Sequence, residues 1–137
     1  MPFRVCYYHV VWATKNREPL ITPEIETLIV SSIMQKSVQL DSPIQAINGV
    51  ADHIHVAVSI STNLAVAEWV RHIKGISSHD INALFPQLPT PFRWQQGYGV
   101  LAFGAKMLPF VADYIARQKE HHRDNMLEMY LEQMEDD

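Results

Sequence analysis

Ala51-Asp52-His53-Ile54-His55-Val56-Ala57-Val58-Ser59-Ile60 is the stretch that sets the reading of the rest of the chain. With the two-residue period of a strand, Ile54, Val56, Val58 and Ile60 fall on one face and His53 and His55 on the other. Four aliphatic side chains anchor such a strand in its sheet, so the two imidazoles project from a stiff platform. Ala57 and Ser59 are small neighbours that leave room beside them. Side chains two apart on one strand face are near enough to share a metal ion. A single histidine here would read as a satisfied polar group near a sheet end. A His-aliphatic-His pair heading an apolar strand reads as a functional site.

Upstream, residues 5–14 are rich in β-branched and aromatic side chains and predict a central strand, followed by the basic exit Lys15-Asn16-Arg17. Thr22-Pro23-Glu24 carries the signals of a helix start: a capping hydroxyl, Pro in the first turn and an acid at the positive dipole end. Ile25, Leu28, Ile29 and Ile33 then mark one helical stripe that ends near Leu40. After the turn Asp41-Ser42-Pro43, residues 44–50 form a second strand, close enough to the histidine strand to make a hairpin. Downstream, Asn63 is placed to cap a second helix with Val66, Trp69, Val70 and Ile73 facing inward, and Gly75 with Ser77-Ser78 is expected to kink it. The proline-rich residues 86–91 should be extended. Residues 93–103 predict another strand, with Gly97 and Gly99 marking a bulge or a close approach. Residues 104–109 turn into a last helix that packs through Phe110, Val111 and Ile115.

The order strand, helix, strand, strand, helix, strand, helix predicts an α+β fold. It is a ferredoxin-like (RRM-like) antiparallel sheet with helices on one face, the histidine strand central and a C-terminal helix available to the imidazole face. At 137 residues the chain is read as a single domain, 1–137. Its 47% hydrophobic and 19% charged content is that of a globular protein. Cys6, the one cysteine, excludes an internal disulfide and a Cys-based zinc cluster. With no apolar run long enough to span a bilayer and no signal-like start, the expected location is cytoplasmic. The net charge of −4 hides an uneven distribution: residues 120–137 hold seven acids against Arg123, whereas residues 1–119 hold ten basic and eight acidic residues. A mildly basic body with an acidic tail from about residue 124 permits nucleic-acid binding without requiring it.

On the last helix, Tyr114, Gln118 and His121 or His122 recur at i, i+4 and i+7/i+8 and so share a face. A phenol, an amide and an imidazole in line make a poor packing stripe, since each polar end needs a partner. If this face meets His53 and His55, Gln118 can supply a third, oxygen ligand, leaving positions open for a substrate phosphate. A phenol is a weak nucleophile at its ordinary pKa of about 10. A divalent cation polarising the phosphate, with Arg117 or Lys119 stabilising charge, would offset that weakness. Tyr7, Tyr8 and Tyr130 compete less well: the first two lie in a strand, the third in the acidic tail.

Asp52-His53-Ile54-His55 with its aliphatic strand, followed by Tyr114-Ile115-Ala116-Arg117-Gln118, resembles the HUH single-tyrosine transposases of bacterial insertion sequences, including their REP-associated branch. Tyr8-His9-Val10-Val11-Trp12-Ala13-Thr14-Lys15-Asn16-Arg17 is similar to that family's first strand and basic loop, and Ile73-Lys74-Gly75-Ile76-Ser77-Ser78 to its middle-helix signature. Trp94-Gln95-Gln96-Gly97-Tyr98-Gly99 and Glu120-His121-His122-Arg123 resemble further blocks of it, in the same order. The resemblance implies a DNA transposase that cuts and rejoins single-stranded DNA and recognises a hairpin at the element end. It implies Tyr114 as nucleophile, forming a 5′-phosphotyrosine and freeing a 3′-hydroxyl. His53, His55 and Gln118 would hold Mg²⁺ or Mn²⁺, and the chain would be a homodimer. Ligand softness alone favours Mn²⁺ or Zn²⁺ at a two-imidazole site. His9, Asp52, His121 and His122 are candidates to support the ligands from behind. Lys15, Arg17, Arg71, Lys74 and Arg93 are candidate phosphate contacts, and Trp94 and Tyr98 candidate stacking platforms for unpaired bases. Val100-Leu101-Ala102-Phe103 departs from the Ser-rich form of relatives, which bears on target choice rather than on the core chemistry. The alternatives are a domesticated, non-transposing single-stranded nucleic-acid-binding module and a metal-dependent hydrolase that uses water as nucleophile.

Overall fold

Two adjacent central strands, buried on both faces over most of their length, organise the molecule, whose computed structural model describes residues 4–121. The strands are β1 (Tyr7–Ala13), β2 (Ile44–Val50), β3 (His53–Ser59) and β4 (Gly99–Phe103). They form one antiparallel sheet in the order β2-β3-β1-β4, with the histidine strand central. Val10 pairs with Val56 and Trp12 with Ile54, and all four are fully buried. They face α1 (Pro23–Gln39) and α2 (Val66–Leu84), whose Ile25, Ile29, Ile33, Trp69, Ile73 and Ile81 complete the core. The other face of the sheet receives α3 (Leu108–Ala116) and the short α4 (Gln118–His121), which pack on β2 and, for α3, also on β3. This is the expected α+β ferredoxin-like architecture. The side chains of Glu120 and His121 and all of His122 to Asp137 lie outside the described residues, and with them the acidic tail and Tyr130. No helix among the described residues is long and apolar enough to cross a membrane.

Helix α1 begins as its sequence dictates: the Thr22 hydroxyl accepts the Ile25 N–H at 3.2 Å, Pro23 opens the first turn and Glu24 and Glu26 follow. The second helix differs from expectation. Asn63 does not cap it, since helical geometry starts after Ala65, and α2 runs unbroken through Gly75. The serine hydroxyls turn back onto the helix's own carbonyls, Ser77 onto Ile73 at 2.7 Å and Ser78 onto Lys74 at 3.0 Å, so neither competes with the helical ladder.

The fourth strand is shorter than expected, starting at Gly99 rather than Arg93. Trp94 makes only an isolated bridge to Thr14 before Gly97, at φ 91°, redirects the chain. Two packing choices take residues 93–98 out of the ladder. The Trp94 ring packs edge-on against Trp12 and Phe92 and its Nε1–H donates to Ser77 Oγ at 2.9 Å. The Lys74 ammonium donates to the carbonyls of Gln95 and Gly97 at 2.7 and 3.0 Å, and its burial lowers its pKa to about 8.

The C-terminal helix is also not one rod. Arg117, at φ −100° and ψ 23°, separates α3 from α4. Ile115 is its buried anchor, whereas Phe110, expected on the packing edge, is 67% exposed.

Replacing Lys74 by Met leaves two carbonyls without their donor. The expected cost is about 1–3 kcal/mol in urea unfolding. Arg71→Met on the exposed side of the same helix should stay within about 0.5 kcal/mol of the parent.

Candidate active site

Because Ile54, Val56 and Val58 point into the helical core, β3 turns His53 and His55 to the opposite face. Both are buried, with ring centroids 5.1 Å apart. β1 adds a third imidazole on that face. His9 lies opposite Ala57, and the small methyl there lets it lean diagonally until its Nε2 is 2.8 Å from His55 Nδ1. His53 Nδ1 is 2.6 Å from Asp52 Oδ1. That hydrogen bond is the main reason the Asp52 carboxyl is held below its usual range, with the charge of nearby Arg17 contributing. A carboxylate only accepts, so His53 donates from Nδ1–H. Burial lowers the His9 pKa to about 4 and pushes His55 well below its ordinary value, so both are neutral imidazoles near pH 7.

Tyr114, on α3, brings its ring edge-on to this cluster, 6.2 Å from the centroids of both His9 and His55. Gln118 is wholly buried although the helix breaks just before it. Phenol and amide therefore do not share one regular helical face. They reach the sheet from two short helices joined at Arg117. The Nε2 atoms of His53 and His55 and both amide atoms of Gln118 are buried with no hydrogen-bond partner among the described residues. Buried polar atoms are almost always paired, so such a group calls for a ligand or an ion. Among the described residues no cluster of three or more His, Cys, Asp or Glu side chains is placed to hold a metal. The available donor set is two imidazole nitrogens and an amide oxygen. It is an incomplete shell of nitrogen and oxygen donors, of the kind that could hold a divalent ion with positions left for other oxygens.

A polar clasp that sequence reasoning missed ties α3 and α4 to the sheet. Asn48 on β2 donates from Nδ2 to the Ala116 carbonyl at 3.0 Å and accepts from Lys119 Nζ at 2.8 Å. Lys119 also reaches Glu26 Oε2 at 3.0 Å, which in turn accepts the Gly49 N–H at 3.2 Å. No local signal links residues 26, 48 and 119, because only the fold brings them together. Lys119 is thus engaged here, and Arg117 lies 3.7 Å from Asp113.

The candidate nucleic-acid contacts are dispersed. Lys15 and Arg93 line a groove of about 270 Å³ with Glu18, Leu20, Thr90 and Pro91. It lies beside the His53 end of the sheet, where Thr14 N–H donates to the Asp52 carbonyl. The charge of Arg17 acts on Asp52. Arg71 is ion-paired with Glu68 on α2, across the sheet from the histidines. Lys74 is bound to loop carbonyls, and Trp94 and Tyr98 pack against the core. Lys74, Trp94 and Tyr98 are thus engaged within the fold in ways that the sequence did not show, whereas Arg71 is exposed.

The family model described as "Transposase IS200 like" matches residues 3–118. The chain is 31% identical over 123 residues to the transposase for insertion sequence element IS200 of Salmonella typhimurium, covering 86% of this chain and 80% of that protein. It is 21% identical over 117 residues to the ISDra2 transposase TnpA of Deinococcus radiodurans, covering 82% and 84%. Among solved structures, a transposase from Deinococcus radiodurans superposes with a TM-score of 0.70 at 22% identity, over 85% of this chain and 93% of that one. A REP-associated tyrosine transposase bound to a REP hairpin superposes with a TM-score of 0.66 at 17% identity, over 85% and 68%. These two share the fold of the present chain. With a family match that runs through both histidines, the tyrosine and the glutamine, the chain belongs to the IS200-like transposases.

Proposed function

We propose that this transposase is a metal-dependent single-stranded DNA endonuclease and strand transferase, with Tyr114 as nucleophile. The observation that carries this reading is the phenol ring lying 6.2 Å from the His55 ring, beside two imidazole nitrogens that have no partner among the described residues. In the reaction, the Tyr114 oxygen attacks the scissile phosphorus and a tyrosyl ester to the 5′ side forms. The bond from phosphorus to the 3′ oxygen breaks, and that oxygen keeps the electron pair. It takes up a proton in place of the one the phenol gives up, leaving a 3′-hydroxyl. One phosphate ester is exchanged for another, so the reverse attack by a DNA 3′-hydroxyl rejoins strands without ATP.

His53, His55 and Gln118 would hold Mg²⁺ or Mn²⁺, which would supply polarisation of the phosphate and partly offset its charge. Burial keeps His55 neutral and thus able to donate its lone pair, and the Asp52 carboxylate orients His53. Lys15 and Arg93 line the path by which the strand reaches the His53 end of the sheet. The hairpin bound by the REP-associated relative supports a folded single-stranded substrate. The tyrosine meets the histidines within one chain, so the geometry supports assembly in cis. Edge strand β4 and the exposed Val100, Leu101, Met107 and Phe110 support a homodimer through that side, which sedimentation at micromolar protein tests directly.

With labelled single-stranded hairpin DNA and Mn²⁺, denaturing electrophoresis should show a labelled protein band that Tyr114→Phe abolishes and His53→Ala reduces by at least about 100-fold. Free cleavage products without an adduct would indicate water as nucleophile. Binding with neither would leave a nucleic-acid-binding module. Lys15→Ala with Arg93→Ala should lower the slope of log affinity against log salt by about 0.7 for each phosphate no longer neutralised, while Arg71→Ala leaves it unchanged.

A further inference from the structure

His9 has a position that packing alone does not explain. It sits within a central strand at 7% exposure, on the face that carries His53 and His55. A buried neutral imidazole brings one N–H and one lone pair, and each needs a partner. Its Nε2 lies 2.8 Å from His55 Nδ1, a distance at which a single proton is shared between the two rings. That proton has two possible homes with opposite consequences. On His9 Nε2, it makes His55 an acceptor at Nδ1, and His55 Nε2 then carries a hydrogen and cannot ligate. On His55 Nδ1, it makes His9 the acceptor, and His55 Nε2 faces the site with its lone pair free.

We infer that His9 is a positioning residue that accepts the Nδ1–H of His55 and so holds it in the tautomer that can bind a metal. The inference rests on the metal reading above. It deepens that reading by giving each imidazole ligand its own support: Asp52 behind His53 and His9 behind His55. The two supports are unequal in kind. A carboxylate draws strongly on the N–H it accepts and makes His53 the better electron donor. A neutral imidazole draws less, so His55 is the weaker ligand and the ion is held exchangeably. The same His9 ring lies edge-on to Tyr114 with centroids 6.2 Å apart, so its fixed orientation also forms one wall of the nucleophile's position.

Mn²⁺ titration of the DNA-free protein, followed by loss of the free-ion electron paramagnetic resonance signal, tests this without reference to activity. His9→Phe fills the space but removes the acceptor, and should weaken Mn²⁺ binding about 10–100-fold. His9→Gln places an amide oxygen near the lost nitrogen and should restore affinity to within about threefold of the parent, an effect that a purely space-filling role would not produce. Equal affinity in the parent and His9→Phe overturns the role of His9 alone. Failure of the parent to bind Mn²⁺ overturns the ligand set itself. Should His9→Phe not fold, nitrogen-15 imidazole spectra of the metal-free parent decide instead. A proton on His55 Nδ1 with a bare Nε2 supports the inference, and the reverse tautomer overturns it.

Discussion

Every feature of the site depends on which face of the sheet the imidazoles occupy, and that is decided by hydrocarbon burial on the opposite face. Ile54, Val56 and Val58 are fully buried against Trp12, Val10 and the two core helices. Each contributes about 1.5–3 kcal/mol relative to exposure. A one-residue slip of β3 would bring all three out and turn His53 and His55 into the core, so the register is strongly held. The sheet thereby fixes two imidazoles in direction as well as in position. The fit between β1 and β3 then sets the third ring, because Ala57 opposite His9 leaves the gap through which it reaches His55.

The second layer is held differently. The pair Lys119–Glu26 is solvated on the lysine side, and such pairs contribute about 0–1 kcal/mol. Complete burial of Ile115 outweighs it. The apolar anchor therefore docks the C-terminal segment, while the clasp through Asn48 and Glu26 sets its orientation by satisfying the Ala116 carbonyl where the helix breaks. This division gives a histidine platform set by the sheet under a phenol carried on a more lightly fastened helix. Such an arrangement is compatible with the role proposed for Tyr114, whose phenol would approach, bond to and leave a phosphate.

The candidate nucleic-acid contacts show a limit of reading charge from sequence. Lys74 looks like a phosphate contact, yet it spends its ammonium on loop carbonyls, and the Trp94 ring packs edge-on against Trp12 and Phe92. Arg17 spends part of its field on Asp52. Of the basic candidates, Lys15 and Arg93 are the pair that line a groove beside the histidine strand.

Local sequence was enough to specify the fold class, the hairpin of β2 and β3, the bounds of α1 and the placement of two imidazoles on one strand face. Those follow from periodicity, capping and turn chemistry, which act over a few residues. The unbroken course of α2, the shortened β4, the break at Arg117, the clasp between residues 26, 48 and 119 and the meeting of His9 with His55 were settled only in three dimensions. The side-chain bonds that fix them include partners 21 to 93 positions apart in the chain, for which no local pattern exists. The dividing line is the range of the interaction. Short-range preferences write themselves into neighbouring residues, whereas a hydrogen bond across the sheet is specified only once the sheet has formed.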